Sequence, residues 1–221
     1  MTDVRSIAGV ILAGGGARRM FPANPAGGDK GLAALAGQPM IAHVIAHLAP
    51  QVPRLIINAN GDPERFAHFG LEVVQDAGEP DQGPLAGLLA AMAWAERSAP
   101  DVSAILSVST DTPFLPADLA ARLAAEAGTG AAIAASLGRV HPVIGLWPLS
   151  LRESLERALS ERRRSVEKFA RQSNAVAVAF APVTIEGQTI DPFFNANTPE
   201  DLAKAHALLA STFRPKEQAN G

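Results

Sequence analysis

Short apolar runs that alternate with helical segments restrict the fold of this chain more than any other feature. Ile7–Ala13 and Leu55–Ile57 are continuously apolar, Ala104–Val108 is apolar except for Ser107, and each is followed by a loop containing glycine, asparagine or aspartate. Such runs are typical of strands buried on both faces of a parallel sheet. Helical patterns lie between them, so we predict one three-layer α/β/α domain with a mostly parallel, Rossmann-like sheet. These sheets bind ligands at the carboxyl ends of strands, which points to the loops after Ala13, Ile57, Val74 and Val108.

Length and composition favour a single globular domain. The 221 residues are expected to form one domain over residues 1–210 and a polar, disordered tail over residues 211–221. Charged residues make up only 19%, and the formal net charge is −3, which gives no sign of a nucleic-acid or anionic-membrane partner. Cysteine is absent, which excludes disulfides and thiolate metal sites. Neither a signal peptide nor a membrane span is visible, so a cytoplasmic location is expected.

A glycine-rich loop follows the first predicted strand. Residues 12–16 read Leu-Ala-Gly-Gly-Gly, and Arg18, Arg19 and later Lys30 add positive charge. Consecutive glycines let backbone amides face an anion, and the combination suits a triphosphate. The dinucleotide fingerprint fails because Arg19 replaces its third glycine, and the P-loop fails because Lys30 is not in a Gly-Lys-Ser/Thr sequence. A simple glycine turn with surface arginines is the alternative.

Three polar residues follow other predicted strands. Asp111 could hold Mg²⁺, which keeps most of its waters and takes further ligands from phosphates, or it could cap the turn into Pro113. Asn58 and Asp76 could recognise a base, because a carboxylate accepts from the N1–H and amino groups of guanine. Either residue could instead cap its own loop.

Other groups of residues favour structural roles. His43 and His47 have zinc-like spacing, but no third ligand is evident, and a helix-surface or interface role is favoured. His141 could face a second substrate or hold a turn. The basic segment Glu161–Val166 reads as a solvated helix junction. No serine–histidine–aspartate arrangement or covalent nucleophile motif has supporting context.

The motifs taken together resemble a nucleotidyltransferase superfamily and, within it, the molybdenum cofactor guanylyltransferases. The resemblance extends over nearly the whole chain. Asn-Ala-Asn at residues 58–60 and Asn-Ala-Asn-Thr-Pro-Glu-Asp-Leu at residues 195–202 are its most specific parts. The other motifs are Leu12–Met20, Asp29–Leu32, Asp76, Gly83–Gly87, Asp111–Pro116 and His141-Pro142.

This resemblance implies transfer of GMP from GTP to the terminal phosphate of molybdopterin, with or without molybdenum, and release of pyrophosphate. It implies Arg19, Lys30 and Asp111 as catalytic residues and Asp111 as the Mg²⁺ ligand. It also places residues such as the basic segment Glu161–Val166 near the pterin phosphate. The implied substrate-binding residues are Leu12, Ala13, Gly14, Gly15, Lys30, Asn58, Asp76, Asp111, Asn195 and Asn197. The sequence departs from the family between Met20 and Gly27, where Phe21–Ala26 is inserted ahead of Lys30.

Several alternatives stay open at this point. A cytidylyltransferase acting on the same cofactor would differ at the base pocket. A sugar-phosphate nucleotidyltransferase would share the first loop and the metal aspartate. A catalytically weak nucleotide-binding partner would result if the insertion displaced Lys30. We expect a monomer whose further partners are other proteins of molybdenum cofactor biosynthesis and the recipient molybdoenzymes.

Overall fold

The computed structural model describes residues 2–14, 29–76, 82–185 and 187–212. Within these ranges the helices are α1 Met40–Leu48, α2 Pro84–Ser98, α3 Leu119–Ala127, α4 Arg152–Ser160, α5 Val166–Gln172 and α6 Pro199–Thr212. The strands are β1 Ile7–Leu12, β2 Ala34–Leu35, β3 Gln38–Pro39, β4 Arg54–Asn58, β5 Glu72–Val74, β6 Ala104–Ser109, β7 Ala132–Ser136, β8 Arg139–Pro148, β9 Val176–Ala179, β10 Val183–Ile185 and β11 Gln188–Ile190. Across the same ranges, no helix has both the length and the apolar character needed to cross a bilayer.

Seven strands form the central sheet in the order β5-β4-β1-β6-β8-β7-β9. All neighbouring pairs are parallel except the two that involve β8. The cause is the turn before β8, because Leu137 and Gly138 both have positive φ, at 48° and 75°. A two-residue turn of this kind joins antiparallel neighbours. The mostly parallel three-layer fold is therefore confirmed, with one antiparallel strand inside it.

Helices cover both faces of the sheet. Ile7 and Ile11 of β1 pack into a core with α1 and α3, and Val10 packs into a second core with α2, α4 and α5. Because β1 is buried on both faces, its sequence is apolar without alternation. A smaller apolar cluster holds α6 through Leu208 against Leu35 of β2.

Local signals set most helix boundaries. The Asp201 carboxylate accepts from the backbone amides of Asn197 and Thr198, and Thr198 Oγ1 accepts from the Asp201 amide. The segment Thr198-Pro199-Glu200-Asp201 is typical of a capped helix start, and this reciprocal capping confirms it as the start of α6. Asp62-Pro63-Glu64-Arg65 also predicts a helix start, and the structure has a 3₁₀ helix over Pro63–Phe69 that ends at Gly70, whose φ is 66°. The hairpins β2–β3 and β10–β11 have strands too short to give a periodic signal and are additions to the prediction.

Candidate functional site

The carboxyl ends of four neighbouring strands lie at one level of the sheet. Leu12 of β1 pairs with Asn58 of β4 on one side and Ser109 of β6 on the other, and Asn58 pairs with Val74 of β5. Neighbouring strands are about 4.8 Å apart, so this row spans about 14 Å. The predicted site residues on these strands therefore share one edge of the sheet.

A buried ion pair stands at the β6 end of this row. Lys30 Nζ donates to Asp111 Oδ2, and it also donates to Asn197 Oδ1 at 2.5 Å. The Lys30 and Asp111 side chains are each 10% exposed. Three residues predicted separately from distant parts of the sequence thus meet at one point, and the insertion before Lys30 does not keep the lysine away from Asp111.

Backbone interactions hold each member of this group in place. Asp29 Oδ1 accepts from the Gly31 amide at 2.9 Å and so begins the 3₁₀ turn that carries Lys30. Gly31 lies against Thr110, whose Cγ2 would be 3.0 Å from a Cβ at position 31. On the other side, the Ala196 amide donates to the Asp111 carbonyl at 2.9 Å. These contacts explain why the glycine follows the lysine and why the 195–197 segment lies beside Asp111.

Asp111 has one carboxylate oxygen available for a metal ion. Its Oδ1 is buried and has no hydrogen-bond partner within the described part of the chain. A buried carboxylate oxygen without a partner is unfavourable, and a cation bound at this oxygen would satisfy it. Among the described residues, no three histidines or carboxylates cluster as a complete metal cage. A single carboxylate of this kind fits Mg²⁺ that takes its other ligands from water and phosphate.

A second polar cluster occupies the β4 and β5 ends of the row. Asn58 Nδ2 donates to Asp76 Oδ1 at 2.9 Å, and Asn60 Nδ2 donates to Asp76 Oδ2 at 2.8 Å. The Asp76 amide in turn donates to Asn60 Oδ1. The Asp76 carboxylate therefore organises both asparagines of the Asn-Ala-Asn motif, and Asn60 is a member of this cluster that the sequence analysis did not single out as a site residue.

One arginine links the two clusters. Arg65 Nε donates to Asp29 Oδ2 at 3.2 Å, next to Lys30, and its terminal nitrogen donates to the Asn60 carbonyl at 2.7 Å. The Asp29 side chain is 10% exposed and the Arg65 side chain 27%. Arg65 was not among the predicted site residues. Its only sequence signal is its place in the segment that follows Asn-Ala-Asn.

The other predicted site residues are placed as follows. Leu12, Ala13 and Gly14 form the end of β1 and the start of its loop, and the Ala13 amide donates to the Asn58 carbonyl at 2.8 Å. Asn195 is exposed and lies two residues before Asn197. Gly15, Arg19 and the inserted segment Phe21–Ala26 lie outside the described residues, so their roles stay predictions.

The basic segment and His43 lie within the described residues. Arg162, Arg163 and Arg164 join α4 to α5 and line a cavity of about 420 Å³ together with Lys168. His43 Nε2 donates to the Leu35 carbonyl at 2.8 Å, which fits the helix-surface role predicted for it.

Known proteins resemble this chain over most of its length. Residues 9–176 match the family described as a MobA-like NTP transferase domain. A molybdenum cofactor guanylyltransferase of Bradyrhizobium sp. (strain ORS 278) is 49% identical over 209 residues, which cover 93% of this chain and 94% of that protein. The crystal structure of molybdopterin-guanine dinucleotide biosynthesis protein A from Archaeoglobus fulgidus has a TM-score of 0.67 at 22% identity and covers 92% of this chain and 98% of its own. Rv0371C from Mycobacterium tuberculosis H37Rv, in complex with manganese, has a TM-score of 0.61 at 14% identity and covers 91% and 98%.

Proposed function

The chain belongs to the MobA-like NTP transferase family, and from this membership we propose that it is a molybdenum cofactor guanylyltransferase. It transfers GMP from GTP to the terminal phosphate of molybdopterin, with or without bound molybdenum. The observation that carries the proposal is the 49% identity, over 93% of this chain, to a protein of that name. The meeting of Lys30, Asp111 and Asn197 at one strand end supports it with geometry.

The reaction needs little covalent chemistry from the protein. A terminal phosphate oxygen of molybdopterin attacks the α-phosphorus of GTP, a new phosphoanhydride bond forms, and the bond to the β-phosphate breaks to release pyrophosphate. Because a phosphate monoester is ionised near neutral pH, no general base is required. The contribution of the protein is to position both substrates and to stabilise negative charge.

Lys30 and Asp111 have different proposed roles in stabilising the negative charge of the phosphates. Lys30 presents a buried cation at the β6 end of the strand row, where it can bind phosphate oxygens. Asp111 would hold Mg²⁺ through the unpartnered Oδ1. When bound there, the metal ion neutralises charge on the triphosphate. The arginine-lined cavity beside α5 offers further positive charge for the pterin phosphate.

The Asn58–Asp76 cluster is proposed to recognise guanine. Each Asp76 oxygen already accepts one asparagine amide, and a carboxylate oxygen can accept a second hydrogen bond. The N1–H and amino groups of guanine can supply those bonds, whereas adenine and cytosine lack this pair of donors.

A nucleotide panel tests the proposed function. The purified protein would be incubated with Mg²⁺, molybdate-loaded molybdopterin and one of GTP, CTP, ATP or UTP, and pyrophosphate release would be followed. We expect release with GTP alone. Asp76→Ala should lower kcat/KM for GTP about 100-fold, because hydrogen bonds to a charged group contribute about 1.5–3 kcal/mol each.

The matched control is Asp62→Ala, which removes an exposed carboxylate from the neighbouring loop after β4. This variant should keep kcat/KM for GTP within a few-fold of the wild-type value. Pyrophosphate release with CTP alone would contradict the guanine assignment. If none of the four nucleotides gave pyrophosphate release although the protein bound GTP, the assignment as a transferase would be wrong.

We expect Arg65 to contribute to GTP use, because it connects Asp29 with the loop that contains Asn60. Arg65→Ala should lower kcat/KM for GTP by about tenfold, since a charge-assisted hydrogen bond is worth about 1.5–3 kcal/mol. The measurement is steady-state kinetics of Arg65→Ala, Asp29→Asn and the double variant. The double variant should have the same kcat/KM for GTP as Arg65→Ala, because both substitutions disrupt the same contact between Arg65 and Asp29.

Arg54→Ala is the matched control for Arg65. Arg54 donates to Asp101 at 2.9 Å from the opposite end of β4, and both side chains are about half exposed. An exposed ion pair contributes about 0–1 kcal/mol, so this variant should retain wild-type kinetics. Fully additive losses for Arg65→Ala and Asp29→Asn would show that the two residues act separately.

A further inference from the structure

Three polar side chains meet at the carboxyl end of β7, outside the residues proposed above. Ser136 Oγ lies 2.5 Å from Asp191 Oδ1 and 2.8 Å from His141 Nε2, and His141 Nε2 lies 3.6 Å from Asp191 Oδ2. Ser136 is 3% exposed, and the His141 and Asp191 side chains are 11% and 17% exposed. We call these residues the Asp191 cluster. Buried polar groups of this kind are unfavourable unless they are paired, and here they are paired with one another.

The hydrogen bonds of the Asp191 cluster have a defined order of donors and acceptors. A carboxylate only accepts, so the single hydroxyl proton of Ser136 is donated to Asp191. Ser136 Oγ then accepts from His141 Nε2–H. Burial lowers the pKa of His141, as does the neighbouring Arg139, although Asp191 opposes the shift. A neutral Nε2–H imidazole satisfies this pattern. The serine proton points away from the histidine, so the arrangement is not that of an activated serine nucleophile.

Asp191 also fixes the backbone that follows it. Its Oδ1 accepts from the Phe193 amide at 2.8 Å, and its carbonyl accepts from the Phe194 amide at 3.0 Å. Phe193 is 1% exposed, with its ring centroid 5.0 Å from that of His141. Hydrogen bonds to Asp191 therefore fix the turn at residues 191–194 internally, Asp191 ties it to Ser136 at the end of β7, and the Phe193 ring packs against His141 of β8.

The residues directly after this turn enter the proposed active site. Asn195 follows Phe194, the Ala196 amide donates to the Asp111 carbonyl, and Asn197 Oδ1 accepts from Lys30. No free loop separates the Asp191 cluster from Asn197. A displacement of Asp191 is therefore transmitted to the contact that Asn197 makes with Lys30.

We infer that Ser136, His141 and Asp191 are positioning residues that hold the 195–197 segment, and through it Asn197, in the geometry needed for transfer. The inference rests on the proposed function, because it concerns the same site. The Asp191 cluster touches neither Lys30 nor Asp111 directly, and it acts through the 195–197 segment.

A double-mutant cycle tests this inference in the full-length protein. Asp191→Ala should lower kcat about tenfold with little change in the KM for GTP. Asp191→Asn, which keeps an oxygen for Ser136 and Phe193, should recover most of that loss. In an Asn197→Ala background, Asp191→Ala should cause no additional loss of kcat, because its effect passes through Asn197.

Ser107→Ala is the matched control for Ser136→Ala. Ser107 is 2% exposed, donates to the Val143 carbonyl at 2.6 Å and accepts from Trp147 Nε1 at 3.0 Å, but it lies within β6 away from the 195–197 segment. Both serine variants should shift the urea midpoint similarly, and only Ser136→Ala should lower kcat.

The outcomes separate this inference from the proposed function. The positioning role would be wrong if Ser136→Ala and Ser107→Ala had equal kcat values while the wild-type protein transferred GMP. It would also be wrong if the fold-losses of kcat from Asp191→Ala and Asn197→Ala multiplied in the double variant. Absence of transfer by the wild-type protein in the nucleotide panel would overturn the proposed function itself, and the inference with it.

Discussion

Asp111→Asn is expected to reduce GMP transfer by about 1,000-fold. The substitution keeps the shape of the side chain and an oxygen for Lys30, but it removes the negative charge that would hold Mg²⁺ at Oδ1. Loss of one electrostatic contact to the developing charge typically costs about 100- to 1,000-fold in kcat, and a lost metal ion should give the upper end of that range. The measurement is single-turnover transfer at saturating GTP and Mg²⁺.

Protein stability must be separated from catalysis in this experiment. Asp111→Asn leaves the buried Lys30 without its counter-ion, and breaking a buried pair can cost about 3–5 kcal/mol of unfolding free energy. The double variant Lys30→Met/Asp111→Asn removes the unpaired charge, so it should recover much of the stability and none of the activity. Mg²⁺-dependent tightening of GTP binding should disappear in Asp111→Asn, which calorimetry can measure without turnover.

The matched control for this prediction is Asp118→Asn. Asp118 precedes α3, is exposed and makes no side-chain cap hydrogen bond. This variant should retain wild-type transfer and Mg²⁺ dependence. Near-normal activity in Asp111→Asn would show that the metal assignment is wrong.

Gly87→Ala is expected to impair both stability and GTP binding. A Cβ at position 87 would lie 2.1 Å from Asn58 Oδ1 and 2.8 Å from Leu12 Cδ2. In an open helix the same change would stabilise the protein by about 1 kcal/mol. Here the crowding should instead lower the free energy of unfolding, by about 1–3 kcal/mol. Because Asn58 must move away from Asp76, the KM for GTP should rise about tenfold.

Two companion variants make the Gly87 prediction specific. Gly130→Ala places its Cβ at an ordinary 3.4 Å from the Ala127 carbonyl, and it should change neither the urea midpoint nor the KM greatly. Asn58→Ala in the Gly87→Ala background should recover part of the lost stability by removing the clash with the asparagine, but GTP binding should remain weak. A stabilised Gly87→Ala protein with wild-type KM would contradict the close packing of α2 on Asn58.

Much of the fold could be predicted from local patterns. The apolar spacing in the sequence predicts helices over Met40–Leu48 and Val166–Gln172, and the structure has both helices with these bounds, because apolar spacing and flanking residues are local properties. The sequence also predicts a strand over Val143–Trp147, and this strand extends over Arg139–Pro148 in the structure. Its first half is exposed or half-buried and includes Arg139 and His141, so the apolar run seen in the sequence marks mainly the buried half. Its antiparallel direction depends on the two-residue turn at Leu137 and Gly138.

Only some residues of the candidate site could be predicted from the sequence. Asn58, Asp76 and Asp111 were predicted because each follows a recognisable strand. Asn60 and Arg65 were missed as site residues because their partners, Asp76 and Asp29, lie on other loops. Of the Asp191 cluster, only His141 was considered from the sequence, because its partners Ser136 and Asp191 lie 55 residues apart in the chain.

The sequence by itself determined the layered α/β architecture, the edge of the sheet that carries the site and the family to which the chain belongs. These follow from burial patterns, strand ends and motifs, which are properties of short segments. Only the tertiary structure decided that Lys30 meets Asp111 and Asn197, which are 81 and 167 residues away. Such partners depend on strand order and register, and a residue pattern along the chain does not encode them. The same holds for Gly87, whose lack of a side chain matters only because the packing of α2 brings it against Asn58.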